Sequence, residues 1–188
     1  MFLKDSPWRV LETRTLVDRR PWYRISEQTV ELPDGRIVQG FPQMELRDYA
    51  IVVALTAKGE VLIERMYKHG PGHRVLDLVA GVLEDGEDPL QAAQRELREE
   101  TGYASEQWSS LGTFVVNSNY GCGRMHAFLA RDARIVSEPN STDLEEVELV
   151  LRPFDEAIAD LRRGRFELLS AAAALALAHA QIGPSLRR

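Results

Sequence analysis

The feature that most constrains this chain is a helix whose beginning and end are both marked in the sequence. Asp88 can cap the first turn, Pro89 suits the first helical position, and Gln91 completes a capping-box pattern. At the other end, Gly102 is placed to form a left-handed C-terminal cap. The sequence therefore predicts a helix over residues 88–101 with firm boundaries.

That helix carries a concentration of acids in the stretch "RELREE", residues 95–100. At ~100° per residue, Glu96, Glu99 and Glu100 fall on one arc of the helix, where like charges repel. Arg95 lies four residues before Glu99 and can hold one carboxylate without neutralising the whole set. Most charge runs on helices are solvated surfaces, and for the helix alone this interpretation stays open.

The loop before the helix, "AGVLEDGE", favours a different interpretation. Gly81 allows the backbone to approach a ligand closely, and Glu84 and Asp85 lie in a turn that leads to the helix. Glu87 can pair with Arg95 or help to bind a metal. Mg²⁺ prefers oxygen ligands and binds through a few carboxylates together with substrate phosphates. A bound metal would relieve the repulsion among the acids, so the loop and helix together favour a metal site.

The remaining segments predict a mixture of strands and helices. Strand-like runs at 8–17 and 23–32 precede a turn in "LPDGRIV", and "YAIVVALT" and "EVLIERMY" form a second hairpin. Further strands are predicted at 75–79, 111–116, 125–130 and 147–151, and helices at 88–101, 153–163 and 166–181. Strands and helices do not alternate strictly, which favours an α+β fold or a mixed-sheet sandwich over a doubly wound parallel sheet.

Charge and cysteine content exclude several classes of protein. A net charge of −6 argues against binding to nucleic acid or to an anionic membrane, which requires clustered Lys and Arg. A single cysteine, Cys122, excludes an intrachain disulfide and a cysteine-rich zinc site, and it fits a reducing compartment. The sequence lacks a secretory signal and an apolar stretch of bilayer length, so we expect a cytoplasmic protein.

Residues 81–103, "GVLEDGEDPLQAAQRELREETGY", resemble the Nudix box, Gx5Ex7REUxEExGU, in which U is a bulky apolar residue. Every specified position matches: Gly81, Glu87, Arg95, Glu96, Leu97, Glu99, Glu100, Gly102 and Tyr103. The resemblance implies an α/β/α sandwich around a mixed β-sheet. It also implies Mg²⁺-dependent hydrolysis, with Mn²⁺ as a substitute, of a nucleoside diphosphate linked to another group.

The resemblance also implies which residues hold the metal. Glu96 and Glu100 would be the principal ligands, and Glu99 would either bind the metal or hold one of its waters. The main-chain carbonyl of Ala80 would be a further ligand. Such a site needs no covalent nucleophile, because water attacks the phosphorus directly.

Other acidic and basic residues receive roles from the same resemblance. Arg95 and Glu87 would orient the metal-binding acids. A glutamate from the loop before the strand "VELVL" would act as the catalytic base or an extra metal ligand, with Glu145 nominated first and Glu146 second. Asp143 lies in the same loop, and simple solvation of these acids is the alternative.

Segments beyond the box resemble the ADP-ribose and nucleotide-sugar pyrophosphatase branch: "RPWYRISEQTVELPDGRIV", "IERMYKHG", "LDLVAGVLEDGE" and "LEEVELVLRPFDEAIADLRRGRF". The branch implies that the N-terminal β-region, residues 1–45, supports a homodimer and lends residues to the partner's substrate pocket, while 46–188 form the catalytic domain. Trp22 would then stack on a nucleobase, or else anchor the hairpin or the dimer core.

Three further basic residues are candidates for the substrate. Arg65 and Lys68 flank Tyr67 after a strand and could bind the diphosphate, or could simply be solvated. Arg124 ends a glycine-rich stretch that could lie against phosphate or sugar, although a turn between two strands explains that stretch equally well.

Two departures from the branch leave the substrate open. The chain has "VNSNYGCGRMHAFLA" where an "SPG"-like stretch is usual, and Val79 where many relatives have Pro. The leading hypothesis is hydrolysis of ADP-ribose or an ADP-sugar. The alternatives are GDP-mannose, a dinucleoside polyphosphate, a damaged nucleoside triphosphate or NADH as the substrate, or a non-catalytic ligand sensor.

Overall fold

The structure, a computed structural model, describes residues 7–140 and 146–183. These residues form two compact units. The first unit contains residues 7–47 and 115–124, and the second contains 48–114, 125–140 and 146–183. The predicted assignment of residues 1–45 to dimerisation and of 46–188 to catalysis stays a prediction.

The first unit is an antiparallel meander of three strands: β1 (Arg9–Arg19), β2 (Tyr23–Glu31) and β3 (Ile37–Leu46). The predicted turn between the last two is confirmed, and Gly35 adopts a φ of 83° there. Every residue of β1 is exposed, including Val10 and Leu16. The meander therefore presents an apolar strand surface that nothing in the described chain covers.

The glycine-rich stretch after Tyr120 begins a strand, β10 (Gly121–Ile135), instead of forming a turn before it. Its first three residues have φ values of 81°, 59° and 75°. A Cβ atom on Gly123 would lie 2.7 Å from the carbonyl oxygen of Arg47, so only glycine fits at this approach. The backbone here is shaped by packing within the first unit.

The second unit is built on a mixed sheet. Its strands are β4 (Tyr49–Thr56), β5 (Glu60–Lys68), β6 (His73–Asp77), β7 (Ala80–Val82), β8 (Tyr103–Ala104), the greater part of β9 (Gln107–Asn117), β10 from Met125 onward, and β11 (Glu148–Pro153). The central order is β10, β4, β5, β11. The first pair is parallel and the other two are antiparallel.

Helices cover both faces of this sheet: α1 (Pro89–Thr101), α2 (Phe154–Arg162) and α3 (Leu169–Ile182). Strand β4 is buried on both sides, and its residues alternate between two cores. Val52 packs with residues of α1, whereas Ile51 and Val53 pack with residues of α2 and α3. The predicted α/β/α sandwich is confirmed, as are the three predicted helices.

Several strand boundaries differ from the prediction. The strand predicted at 75–79 ends at Asp77, whose carboxylate accepts a hydrogen bond from the N–H of Leu78 at 2.8 Å and turns the chain toward β7. The short strands β7 and β8 were not predicted, because their few residues carry no periodic signal. None of the helices in the described part of the chain has the length and apolarity needed to cross a bilayer.

Candidate functional site

Both ends of α1 are fixed as the sequence predicts. The Asp88 carboxylate accepts hydrogen bonds from the N–H groups of Leu90 at 2.9 Å and Gln91 at 3.3 Å. Gly102 has a φ of 73°, and its N–H donates to the carbonyl of Arg98. Both ends of the helix that carries the acids are therefore fixed by local hydrogen bonds.

Arg95 is the centre of the acid cluster. Its guanidinium contacts Glu87 twice, from Nε and from Nη2, each at 2.9 Å. Its Nη1 donates to Glu96 at 2.6 Å and to Glu99 at 3.2 Å. The sequence predicted contacts of Arg95 with Glu99 and with Glu87, and the structure shows a third, with Glu96. The predicted pairing of Glu87 with Arg95 is confirmed.

Burial of these side chains tests whether the acids form a solvated face. The side chains of Glu87 and Glu96 are only 14% and 13% exposed, and that of Arg95 is 25% exposed. Glu99, at 48%, faces solvent. The hydrogen bonds that Arg95 donates to Glu87 are the largest of the effects that raise the pKa of Arg95, so the guanidinium stays charged. A merely solvated face does not account for Glu87 and Glu96.

Gly81 faces the carboxylate of Glu96. A Cβ atom at this position would lie 1.9 Å from Cδ of Glu96, so a side chain here would force that of Glu96 to move. The sequence suggested that the backbone at Gly81 would approach a ligand, whereas the group beside it is this side chain. Because Ala80 precedes Gly81 in β7 and pairs with Ile51, the Glu96 carboxylate lies against the strand that carries the Ala80 carbonyl.

This donor set fits a hard divalent cation. Its members are oxygen atoms only, and the backbone of Gly81 leaves a space that the Glu96 carboxylate occupies. Glu100 is half-buried one turn after Glu96 on the same helix. Among residues 7–140 and 146–183, no group of three or more Asp, Glu, His or Cys side chains is arranged to coordinate a metal ion. In this arrangement the acids converge on Arg95.

The two basic residues proposed to bind the diphosphate, Arg65 and Lys68, also belong to the second unit. Arg65 and Lys68 belong to β5 itself and do not follow it, because the strand continues to Lys68 in its pairing with β6. Arg65 contacts Glu148 at 3.4 Å. Lys68 is half-buried, opposite His73 in β6.

The loop acids are only partly described. Glu146 is fully solvated, with a side chain 96% exposed, and its carboxylate lies 3.8 Å from Arg74. Glu145 and Asp143, the first nominee and its neighbour in the sequence, lie outside the described residues. The choice of catalytic base stays a prediction.

Trp22 and Arg124 belong to the first unit. The Trp22 side chain does not anchor the hairpin, because the residue is 76% exposed at the turn between β1 and β2. Stacking on a base and packing in a dimer core both stay open as roles. Arg124 is exposed in β10.

Sequence reasoning missed the contacts that support the site. Arg74 and Glu148 occur in no motif, so nothing in the sequence identified them as partners of Glu146 and Arg65. Asp77 was not singled out either, although it is 7% exposed and turns the chain toward β7. A polar residue within an apolar stretch, "VLDLVAG", was the available signal.

Known proteins resemble this chain in sequence and in fold. The family model of the NUDIX domain matches residues 45–172. An ADP-ribose pyrophosphatase of Bacillus subtilis is 27% identical over 85% of each chain. A GDP-mannose pyrophosphatase of Pectobacterium atrosepticum is 25% identical over 87% of this chain and 89% of its own.

A crystal structure described as an ADP compounds hydrolase superposes with a TM-score of 0.85 at 20% identity, over 97% of this chain and 98% of that one. This likeness concerns the fold. The match to the domain model extends over most of the chain and includes the helix on which Arg95 gathers the acids. On that evidence, the chain belongs to the Nudix family.

Proposed function

We propose that this protein hydrolyses the diphosphate bond of ADP-ribose or a related nucleoside diphosphate sugar, giving a nucleoside monophosphate and a sugar phosphate. It acts as a Nudix hydrolase on a phosphorus anhydride. Support comes from the family match and from relatives named as ADP-ribose pyrophosphatases in Bacillus subtilis and Mycobacterium tuberculosis. The observation that carries the proposal is the set of carboxylates that Arg95 gathers beside Gly81.

Nudix hydrolases require a divalent metal, and we propose Mg²⁺, with Mn²⁺ as a substitute. Glu96, Glu100 and the carbonyl of Ala80 would hold it, and Glu99 would bind it or one of its waters. When bound, the cation would supply Lewis-acid polarisation of the phosphate oxygens. Two observations support this assignment: the donors are all oxygens, and Glu96 lies against β7, next to Ala80.

Arg95 has a defined task in this scheme. Its Nε and Nη2 atoms donate to the two carboxylate oxygens of Glu87, and this bidentate pair fixes the plane of the guanidinium. The same plane then fixes Glu96 and Glu99. Their orientation is therefore set before substrate arrives, which lowers the cost of reaching a reactive geometry.

A carboxylate near the substrate would take the proton from the attacking water as the bond between phosphorus and the bridging oxygen breaks. We propose Glu145, with Glu146 or Glu99 as the other candidates. Glu146 and Glu99 are both exposed, so each is accessible to a water molecule. Arg65, Lys68 and Arg124 stay candidates for contacts to the substrate, and Trp22 for stacking on its base.

We also propose a homodimer formed through the first unit and a cytoplasmic location. Exposed apolar residues just before β1, within β1 and in the turn after it support the dimer: Trp8, Val10, Leu11, Leu16, Val17 and Trp22. Exposed apolar side chains grouped in this way are typical of an interaction surface. One half-buried free cysteine, Cys122, fits a reducing compartment.

GDP-mannose is the second candidate substrate, because three relatives carry the name GDP-mannose pyrophosphatase. A substrate panel separates the candidates, since the pocket sets specificity and the box does not. Initial rates of phosphate release, coupled to a phosphatase, would be compared for ADP-ribose, ADP-glucose, GDP-mannose, NADH and diadenosine polyphosphates with Mg²⁺. We expect the highest kcat/KM with ADP-ribose or ADP-glucose, and a clear preference for GDP-mannose would overturn that choice.

A further inference from the structure

A groove of about 710 Å³ lies along α1 in the second unit. Gln94 and Arg98 of α1 form one wall, Ser105 and Trp108 form a second, and residues from 137 to 140 contribute a third. This volume falls within the range of roughly 300–1,000 Å³ that small-molecule sites occupy. Arg95 and Glu99 of the acid cluster also line the groove, while its other lining residues have no assigned role.

The wall at 137–140 is fixed to the end of α1. The carbonyl of Gly102 accepts hydrogen bonds from the N–H groups of Val136 at 2.9 Å and Ser137 at 3.2 Å. The N–H of Asn140 donates to the carbonyl of Glu99 at 2.8 Å. The groove is therefore preformed, so a ligand would not have to order this wall.

The opposite wall is equally constrained. The indole Nε1 of Trp108 donates to the carbonyl of Ser105 at 2.8 Å. The Trp108 ring meets that of Phe128 edge to face, with 6.4 Å between centroids. The hydroxyl of Ser105 donates to the carbonyl of Arg131. An indole with one fixed orientation thus lines the groove and offers an apolar surface to a ring or sugar.

Arg98 supplies the charge. Its guanidinium is exposed and has no hydrogen bond or ion pair to any residue that the structure describes, whereas Arg95 binds three carboxylates. Two acids also line the groove: Glu99 is already bonded to Arg95, and Glu138 is exposed to solvent. Arg98 lies in the last turn of α1, where a positive charge interacts favourably with the helix dipole. That interaction accounts for an arginine at this position but not for the preformed groove around it.

We propose that this groove is a second ligand site, which binds a nucleoside monophosphate with its phosphate on Arg98 and its base or ribose against Trp108. An arginine fork matches phosphate oxygens in pairs. Binding at this groove requires no hydrolysis, so it does not rest on the proposed function. If that function holds, the ligand is its nucleotide product, and the site fills as product accumulates.

Calorimetric titration with AMP in the presence of a chelator tests the site while hydrolysis is blocked. The variant is Arg98→Gln. Arg162→Gln is the matched control, because Arg162 is an exposed arginine in the last turn of α2, which packs with α3 in the other core. We expect AMP to bind Arg98→Gln at least about tenfold more weakly than the wild type, and Arg162→Gln to bind it unchanged.

Trp22→Ala separates this site from the proposed substrate pocket. We expect Trp22→Ala to keep the binding event that Arg98→Gln loses. The proposal is overturned if the wild type does not bind AMP, if Arg98→Gln binds it with wild-type affinity, or if Trp22→Ala alone abolishes binding. Failure of the substrate panel would leave this result unaffected, because the titration measures binding without turnover.

Discussion

The N–H of Asn140 donates a hydrogen bond to the carbonyl of Glu99 at 2.8 Å, which ties the chain after β10 to the end of the acid helix. Gly102 strengthens the same junction by accepting two backbone hydrogen bonds. Asn140 is therefore held at the helix that carries Glu96, Glu99 and Glu100. This junction depends on a residue without a side chain.

Gly102→Ala is expected to destabilise the fold by more than about 1 kcal/mol. A methyl group here would lie 2.2 Å from the carbonyl oxygen of Ser137, and the φ of 73° disfavours any L side chain. Gly86→Ala is the control, since Gly86 has a φ of 78° but nothing within 4 Å. Urea unfolding should show a larger loss for Gly102→Ala. Equal losses of unfolding free energy in the two variants would mean that the cost comes from the positive φ alone and not from the contact with Ser137.

Gly81→Ala should abolish turnover and leave the fold nearly intact. The added methyl group would overlap the end of the Glu96 side chain, which can rotate away, so the cost falls on the position of the carboxylate. Binding of Mn²⁺, followed by electron paramagnetic resonance, should weaken, while the free energy of unfolding changes little. Unchanged Mn²⁺ affinity would show that Glu96 does not bind the metal.

Arg95→Lys should reduce kcat on the order of 100-fold, because a lysine keeps the charge but cannot hold Glu87 with two hydrogen bonds while fixing Glu96. Arg162→Lys, at an exposed position on α2, is the control and should retain activity. A wild-type rate for Arg95→Lys would show that charge alone suffices, and that the fork geometry does not matter.

Asp77→Asn should stabilise the protein at neutral pH. Burial raises the pKa of the Asp77 carboxyl above its usual range, while the N–H of Leu78 and the charge of Lys68 partly oppose this shift. The folded state therefore binds the proton more tightly than the unfolded state. The stability that this provides is complete below the unfolded pKa and is lost as pH rises through the folded value.

An asparagine keeps an oxygen that can accept from Leu78 and carries no charge at any pH. Urea unfolding at about pH 7 and about pH 4 should show an advantage for Asp77→Asn that shrinks at the lower pH. If the variant is less stable at neutral pH, the ionised carboxylate has a favourable partner, and the account of its burial is wrong.

The sequence predicted the acid helix well because its ends depend on local chemistry. Asp88 and Gly102 act on neighbouring backbone groups, so their roles follow from spacing alone. Two of the three contacts of Arg95, those with Glu99 and Glu87, were predicted, whereas the contact with Glu96 was not. The continuous apolar run of β4 is typical of a strand buried on both faces, which the structure shows. The short strands β7 and β8 instead depend on pairing with distant segments.

The sequence alone could not predict which side chains pair across strands that are distant in the chain. Arg65 is bonded to Glu148, and Glu146 lies near Arg74, because β5 pairs with both β11 and β6. Such cross-strand pairs follow from register, which one sequence does not reveal. The exposure of Trp22 also depends on tertiary structure, because a residue in a turn is buried only if another segment of the chain covers it.

Metal-dependent hydrolysis is tested by the rate of ADP-ribose hydrolysis with Mg²⁺ for the wild type, Glu100→Gln and Glu106→Gln. Glu106 is an exposed glutamate, with a side chain 87% exposed, and serves as the matched control. The account predicts turnover by the wild type and by Glu106→Gln, no turnover with chelator, and a loss on the order of 1,000-fold for Glu100→Gln with its fold retained. Wild-type turnover by Glu100→Gln, or hydrolysis that persists in chelator, would contradict it.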